Sequence, residues 1–158
     1  MNLIEKEKSV KNKMGYRSDV RIVTTKKGFK ELKKFTDNYL KDRKYTYGNL
    51  LENLDINKET KYSKYFGWDS VKWYEGIEGF DDIDAIMKGL NYLADNNYSY
   101  RYARIGESYD DYEQLDYESD IEDEQDLEYP SLNRSFDDDY IFQIYDSQNN
   151  RKIKEQER

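Results

Sequence analysis

The chain has 158 residues, of which 38% are charged, with 26 Lys or Arg against 34 Asp or Glu and a net charge of −8. It contains no His and no Cys, which removes disulfides, thiolate nucleophiles, zinc fingers, and Cys–His or Ser–His–Asp catalysis. No uncharged run exceeds seven residues, from Tyr45 to Leu51, far short of the ~20 apolar residues of a membrane helix; with no apolar opening segment of the signal-peptide kind, the expectation is a soluble cytoplasmic protein of a bacterial cell, with no membrane partner.

Charge is distributed unevenly. Residues 1–47 carry a net +8, whereas residues 105–146 hold sixteen acids against the single base Arg134, a net −15. Single-sign blocks of this kind steer and select charged partners. The size suits one domain, and seventeen Tyr against six Phe and two Trp suit a modest aliphatic core whose rings pack while their hydroxyls stay wet.

In chain order, residues 1–13 read as a flexible basic leader, and the domain is expected over 14–146. Val20, Ile22 and Thr24 alternate as a first strand. Thr25 is placed to cap a helix from Lys26 to about Lys41, whose stripe is Phe29, Leu32, Phe35, Thr36, Tyr39 and Leu40. A short helix follows over 48–54, then an aromatic strand over 61–68 that breaks phase at Gly67-Trp68-Asp69-Ser70. The strongest helical pattern runs from Asp82 to Asn96, with Ile83, Ile86, Met87, Leu90, Leu93 and Ala94 on one face, Asp81 as its cap, and Asn96-Asn97 as its end. Tyr98, Tyr100, Tyr102 and Arg104 alternate in a further strand, and residues 109–118 continue or return as an edge strand. An acidic loop is expected over 119–128, two short strands over Ser131–Phe136 and Tyr140–Tyr145, and a frayed polar tail over 147–158. The result is a single α+β domain: a mainly antiparallel sheet of about 4–6 strands with two main helices packed on one face.

Three stretches carry a resemblance. Met14-Gly15-Tyr16-Arg17-Ser18-Asp19-Val20, Trp68-Asp69-Ser70-Val71-Lys72-Trp73-Tyr74, and Arg104-Ile105-Gly106-Glu107 followed by Asp110-Asp111 together look like small accessory proteins encoded by bacteriophages and mobile elements. That group has no assigned activity, so the resemblance implies an accessory, anti-CRISPR or anti-defence role rather than a mechanism. The long acidic stretch after Tyr117 departs from the group's pattern.

The candidate site is the acidic, tyrosine-bearing segment: Tyr109, Asp110, Asp111, Tyr112, Glu113, Asp116, Tyr117, Glu118, Asp120, Glu122, Asp123 and Glu124. Carboxylates held several ångströms apart can imitate a phosphate ladder and occupy a Lys/Arg groove, with tyrosines as rigid anchors. The alternative is a solvated loop that keeps the chain dispersed. An EF-hand is rejected, because counting from Asp116 or Asp120 puts Ile121 or Gln125 where the loop needs Gly. No phosphate loop is present.

The basic first helix and leader suit nucleic acid, but a pI near 4.8 speaks against direct binding; that face is expected to pair with the chain's own acids or with a second copy, which leaves room for a homodimer. Trp68, Trp73 and Tyr74 read as core packing more readily than as a ligand cradle. The stripe of Tyr98, Tyr100 and Tyr102 is a nucleotide platform if uncovered, with Arg101 or Arg104 beside it, and core if a helix lies over it. The sequence therefore predicts a non-enzymatic inhibitor without cofactor or metal. Its partner would be a host defence protein with a basic nucleic-acid groove, such as a CRISPR effector nuclease. A protein that sequesters a nucleotide signal is the alternative.

Overall fold

A computed structural model describes residues 15–43, 48–120, 127, 130 and 135–156. The leader therefore lies outside the described residues, as does most of the acidic loop. The first strand, β1 (Ser18–Thr25), runs directly into α1 (Lys26–Leu40). The switch is made by Thr25, which stays extended while its hydroxyl accepts a hydrogen bond from the Gly28 N–H at 2.9 Å, satisfying one of the orphan donors of the first turn. A 3₁₀ turn (Leu50–Glu52) leads into β2 (Ile56–Glu59) and β3 (Ser63–Val71). Helix α2 (Asp81–Asp95), β4 (Tyr100–Gly106), β5 (Tyr112–Tyr117) and α3 (Tyr140–Gln156) complete the order.

The strands form one antiparallel sheet in the order β2-β3-β1-β4-β5. The chain is thus an α+β domain, with five strands and three helices among the described residues. Helices α1 and α2 pack on the face that carries Val20, Ile22, Phe66, Trp68, Tyr100 and Tyr102, and close the main core with Leu32, Ile83, Ile86, Leu90 and Leu93. The two helices approach closely at Gly89, where a Cβ would meet Leu32 Cδ1 at 2.4 Å.

The two main helices, α1 and α2, share one face of the sheet as expected, and a third helix, α3, lies on the other. Tyr140–Tyr145 was predicted as a strand and is the start of this third helix, which also runs through the predicted tail to Gln156. Aromatic and β-branched residues favour strands by propensity, but Ile141 and Ile144 stand one helical turn apart and pack with Val23, Tyr65 and Leu127 on the opposite face of the sheet. The triplet Asp137-Asp138-Asp139 precedes this helix, where a helix dipole favours carboxylates. Of the other expected strand, residues 131–134 lie outside the described residues, and Phe136 forms a single bridge. Strand β2 went unrecognised.

Asp81 is also corrected. It opens α2 rather than capping it: Phe80 holds the cap position with no side-chain cap bond, and its ring packs edge-on against Tyr74 at 4.8 Å. Asp84 turns back instead to accept from the Gly76 N–H at 2.8 Å. Asn97, at φ +63°, ends the helix as anticipated, with Tyr98 N–H donating to the Leu93 carbonyl at 2.8 Å.

Gly67 sits opposite Arg21 in the central β1–β3 ladder, and a Cβ there would lie 1.9 Å from the Val20 carbonyl oxygen. The obstructing group is the Val20 carbonyl, backbone of the central strand that cannot swing aside as a side chain could. Gly67→Ala is expected to destabilise the domain by about 3 kcal/mol, the upper range for overpacking, read from the midpoint shift in urea unfolding; a midpoint within error of the parent protein would contradict this close approach.

Candidate functional site

The acidic segment becomes the turn after β4, the edge strand β5 and the residues beyond it. Register pairs Arg104 with Glu113, Tyr102 with Leu115, Arg101 with Asp116 and Tyr100 with Tyr117. Because successive residues alternate between faces, Glu113, Leu115 and Tyr117 lie on the α1/α2 side, and Tyr112, Gln114 and Asp116 on the other.

Several of the predicted site acids prove to be internal partners. Arg104 donates to both oxygens of Asp111, at 2.7 and 3.1 Å, and to Glu113 at 3.1 Å. Burial alone would lower the guanidinium's pKa, but these two carboxylates outweigh burial and raise it. Asp111 also accepts from the Tyr16 hydroxyl, and Glu113 accepts from Tyr102 at 2.7 Å. Burial, followed by the Glu113 charge, pushes the Tyr102 hydroxyl well above its ordinary value. Asp116 lies 3.6 Å from buried Arg101. Tyr117 donates to Asn97 at 2.6 Å, and Asn97 in turn donates to Asp120 at 2.6 Å. That left-handed asparagine thus ties the end of α2 to the end of β5.

What remains outward forms a surface. Tyr109 is 75% exposed, Tyr112 60% and Leu115 42%; among the described residues only Phe142 joins them as an exposed large apolar side chain. Asp110, Asp116, Glu118 and Asp120 are exposed around them. Leu115 was missed by the sequence reading, although an apolar residue inside an acidic edge strand is a legible signal. Glu122, Asp123 and Glu124 lie outside the described residues.

Among the described residues, the basic helix pairs with its own neighbours. Lys33 reaches Asp37 at 3.1 Å and Glu52 at 3.4 Å, and Lys34 reaches Glu31 at 3.5 Å. The acidic segment pairs instead with arginines of the sheet. Arg21, in the central strand and 2% exposed, donates to Asp138 at 2.8 and 3.1 Å and to Asp69 at 2.6 Å, and lies 4.8 Å from the centre of the Phe136 ring. Tyr65 adds a hydroxyl donor to Asp138 at 2.6 Å. Burial opposes ionisation of Asp138, but Arg21 and Tyr65 prevail and hold its carboxyl below the usual range.

The three motif stretches meet at one end of the sheet. Arg17 donates to the Ser70 carbonyl at 2.9 Å, and Ser70 N–H donates to Asp19 at 2.8 Å, which clamps Ser70 at φ +54°. Tyr74 donates to the Tyr16 carbonyl at 2.8 Å. Gly106 lies where a Cβ would collide with Asp111 and Tyr16. An open depression of about 440 Å³ lined by Gly15, Tyr16, Glu107 and Ser108 adjoins this knot. Trp68, Trp73 and Tyr74 are buried, as core packing requires, and so are Tyr100 and Tyr102, so helices cover the stripe that a nucleotide platform would need open. Among the described residues no group of three or more acids is placed to hold a metal ion, and no helix is long and apolar enough to cross a membrane.

Compared with known protein families, curated proteins and solved structures, the chain matches none.

Asp138→Asn leaves Arg21 with Asp69 as its one carboxylate among the described residues and is expected to cost about 3 kcal/mol, as for a broken buried pair. Because the folded pKa of Asp138 is depressed, its contribution is present above the ordinary value of 3.8 and is lost as pH falls below it. Urea unfolding followed from pH 7 downward is therefore expected to show a shallower acid-side loss in the variant; parallel curves would assign the acid sensitivity elsewhere.

Proposed function

We propose that this protein is a non-enzymatic inhibitor that offers an acidic, tyrosine-studded sheet edge to a basic nucleic-acid-binding groove, displacing nucleic acid from it. The observation that carries this reading is the exposure of Tyr109, Tyr112 and Leu115 along the turn before β5 and β5 itself, an edge that also exposes Asp110, Asp116, Glu118 and Asp120. Aromatic anchors ringed by charge are the pattern of interface hot spots, and grouped exposed apolar side chains on a soluble chain mark binding surfaces.

The internal use of Asp111 and Glu113 supports this reading rather than detracting from it. Arg104 fixes both carboxylates and with them the start of β5, which lowers the entropy lost when the surface docks. The resemblance of the Met14–Val20 stretch to phage-encoded accessory proteins directs the choice of target toward host defence proteins that handle nucleic acid, such as a CRISPR effector nuclease. Partner specificity then comes from the tyrosines, and association rate from the charge.

Competition against labelled DNA on a panel of basic-grooved bacterial defence nucleases tests the proposal. The unaltered protein is expected to displace DNA from at least one nuclease, with affinity falling as salt rises. Combined Asp110→Lys and Glu118→Lys is expected to weaken that displacement by about tenfold or more, mainly through the association rate. Displacement unaffected by both charge reversals would end the mimic mechanism, and no displacement anywhere on the panel would end the assignment to such targets.

A further inference from the structure

Strand β5 has a sheet neighbour on one side only among the described residues. The Gly106 N–H donates to the Asp111 carbonyl at 2.8 Å, which makes 106/111 a hydrogen-bonded pair of the antiparallel ladder. Bonded and non-bonded pairs alternate along such a ladder. Register then gives Arg104/Glu113 and Tyr102/Leu115 as bonded pairs, and turns the N–H and C=O of Tyr112 and Gln114 outward from the sheet.

Natural sheets commonly blunt such an edge with a proline, a bulge or a covering element. β5 (Tyr112-Glu113-Gln114-Leu115-Asp116-Tyr117) contains no proline, its six residues pair one-for-one with β4, and Tyr112 and Leu115 are exposed on opposite faces of the edge. Among the described residues, what guards it is charge of one sign. Two copies of this edge laid side by side would bring the exposed Asp116 and Glu118 of one near the acids of the other, and opposed like charges destabilise a strand pair. The same charges accept a basic strand.

We infer that the outer edge of β5 is a strand-addition site for an extended basic segment of the partner. Its cations would stand opposite Asp116 and Glu118, both exposed, and an apolar side chain would cover Leu115. Backbone hydrogen bonds through Tyr112 and Gln114 provide the register, and alternate side chains provide the selectivity, as in other strand-addition complexes. The inference rests on the acidic-surface reading above and sharpens it: the partner element is a basic β-forming strand rather than any cationic surface.

Two peptides of equal length and charge separate the possibilities, one alternating Lys and Val, the other Lys and Gly, because β-branched Val favours the extended paired state and Gly opposes it. The Lys-Val peptide is expected to bind about tenfold tighter and to slow amide hydrogen exchange at Tyr112 and Gln114. Gln114→Pro, which removes an outward donor at an edge where proline is tolerated, is expected to bring the Lys-Val affinity down to that of Lys-Gly. If that variant fails to fold, the exchange measurement on the unaltered protein decides alone. Equal binding of the two peptides without slowed exchange at Tyr112 and Gln114 overturns the strand-addition site while leaving the acidic surface standing. Binding of neither peptide overturns both.

Discussion

A guanidinium sealed in the middle of the sheet is the constraint on which the rest of this structure depends. Arg21 occupies the central strand, on the face away from α1 and α2, at 2% exposure. A charge so placed is tolerated only when paired and hydrogen-bonded. Two backbone carbonyls, of Val20 and Trp68, take one terminal nitrogen, and Asp69 and Asp138 take the rest. Asp138 lies 117 residues away in sequence, so neutralising Arg21 brings the end of the acidic segment onto the second face of the sheet. Helix α3 follows it there, seated by Ile141 and Ile144 on Val23 and Tyr65.

This arrangement divides the acids of the segment into two populations. Asp111, Glu113 and Asp138 are held by buried or half-buried arginines and hydroxyls, and they act as the polar framework of a small protein rich in tyrosine. Asp110, Glu118 and Asp120 lie at the surface, as do Tyr109 and Tyr112. A segment that looks uniform as a list of acids is thus part scaffold and part outward display. The scaffold acids hold β5 in place, and the display depends on β5 being held.

Elements governed by local periodicity were legible. The apolar stripe of α1, the Thr25 cap, the six-residue face of α2 and the Tyr98–Arg104 alternation each contain their own phase, because side chains that must share a face repeat at 3.6 or 2 residues. Helix α3 was not legible: its first residues are aromatic and β-branched, and only packing of Ile141 and Ile144 against the far face makes the helix the better choice. Strand β2 was missed because Ile56-Asn57-Lys58-Glu59 is short and mostly polar, and is a strand by virtue of pairing with β3. The break at Gly67–Ser70 was visible, but its cause, the grip of Arg17 and Asp19 on Ser70, joins residues about fifty positions apart.

For the site, the sequence by itself determined the chemistry: a polyanionic, tyrosine-rich segment in a chain with no histidine or cysteine to support most catalysis. It left open whether residues 109–118 continue the preceding strand or return as an edge strand, and the sheet order decides for the edge. Which carboxylates are neutralised and which face outward was decided only by the tertiary structure. That choice rests on distances of 2.7 to 3.6 Å between Arg21, Arg101 and Arg104 and acids drawn from β5, the turn before it and the approach to α3. Composition specifies how many charges there are, but the partition of each between an internal ion pair and the solvent is a property of the folded register, since electrostatic attraction strong enough to fix a side chain acts only at contact range and out of water.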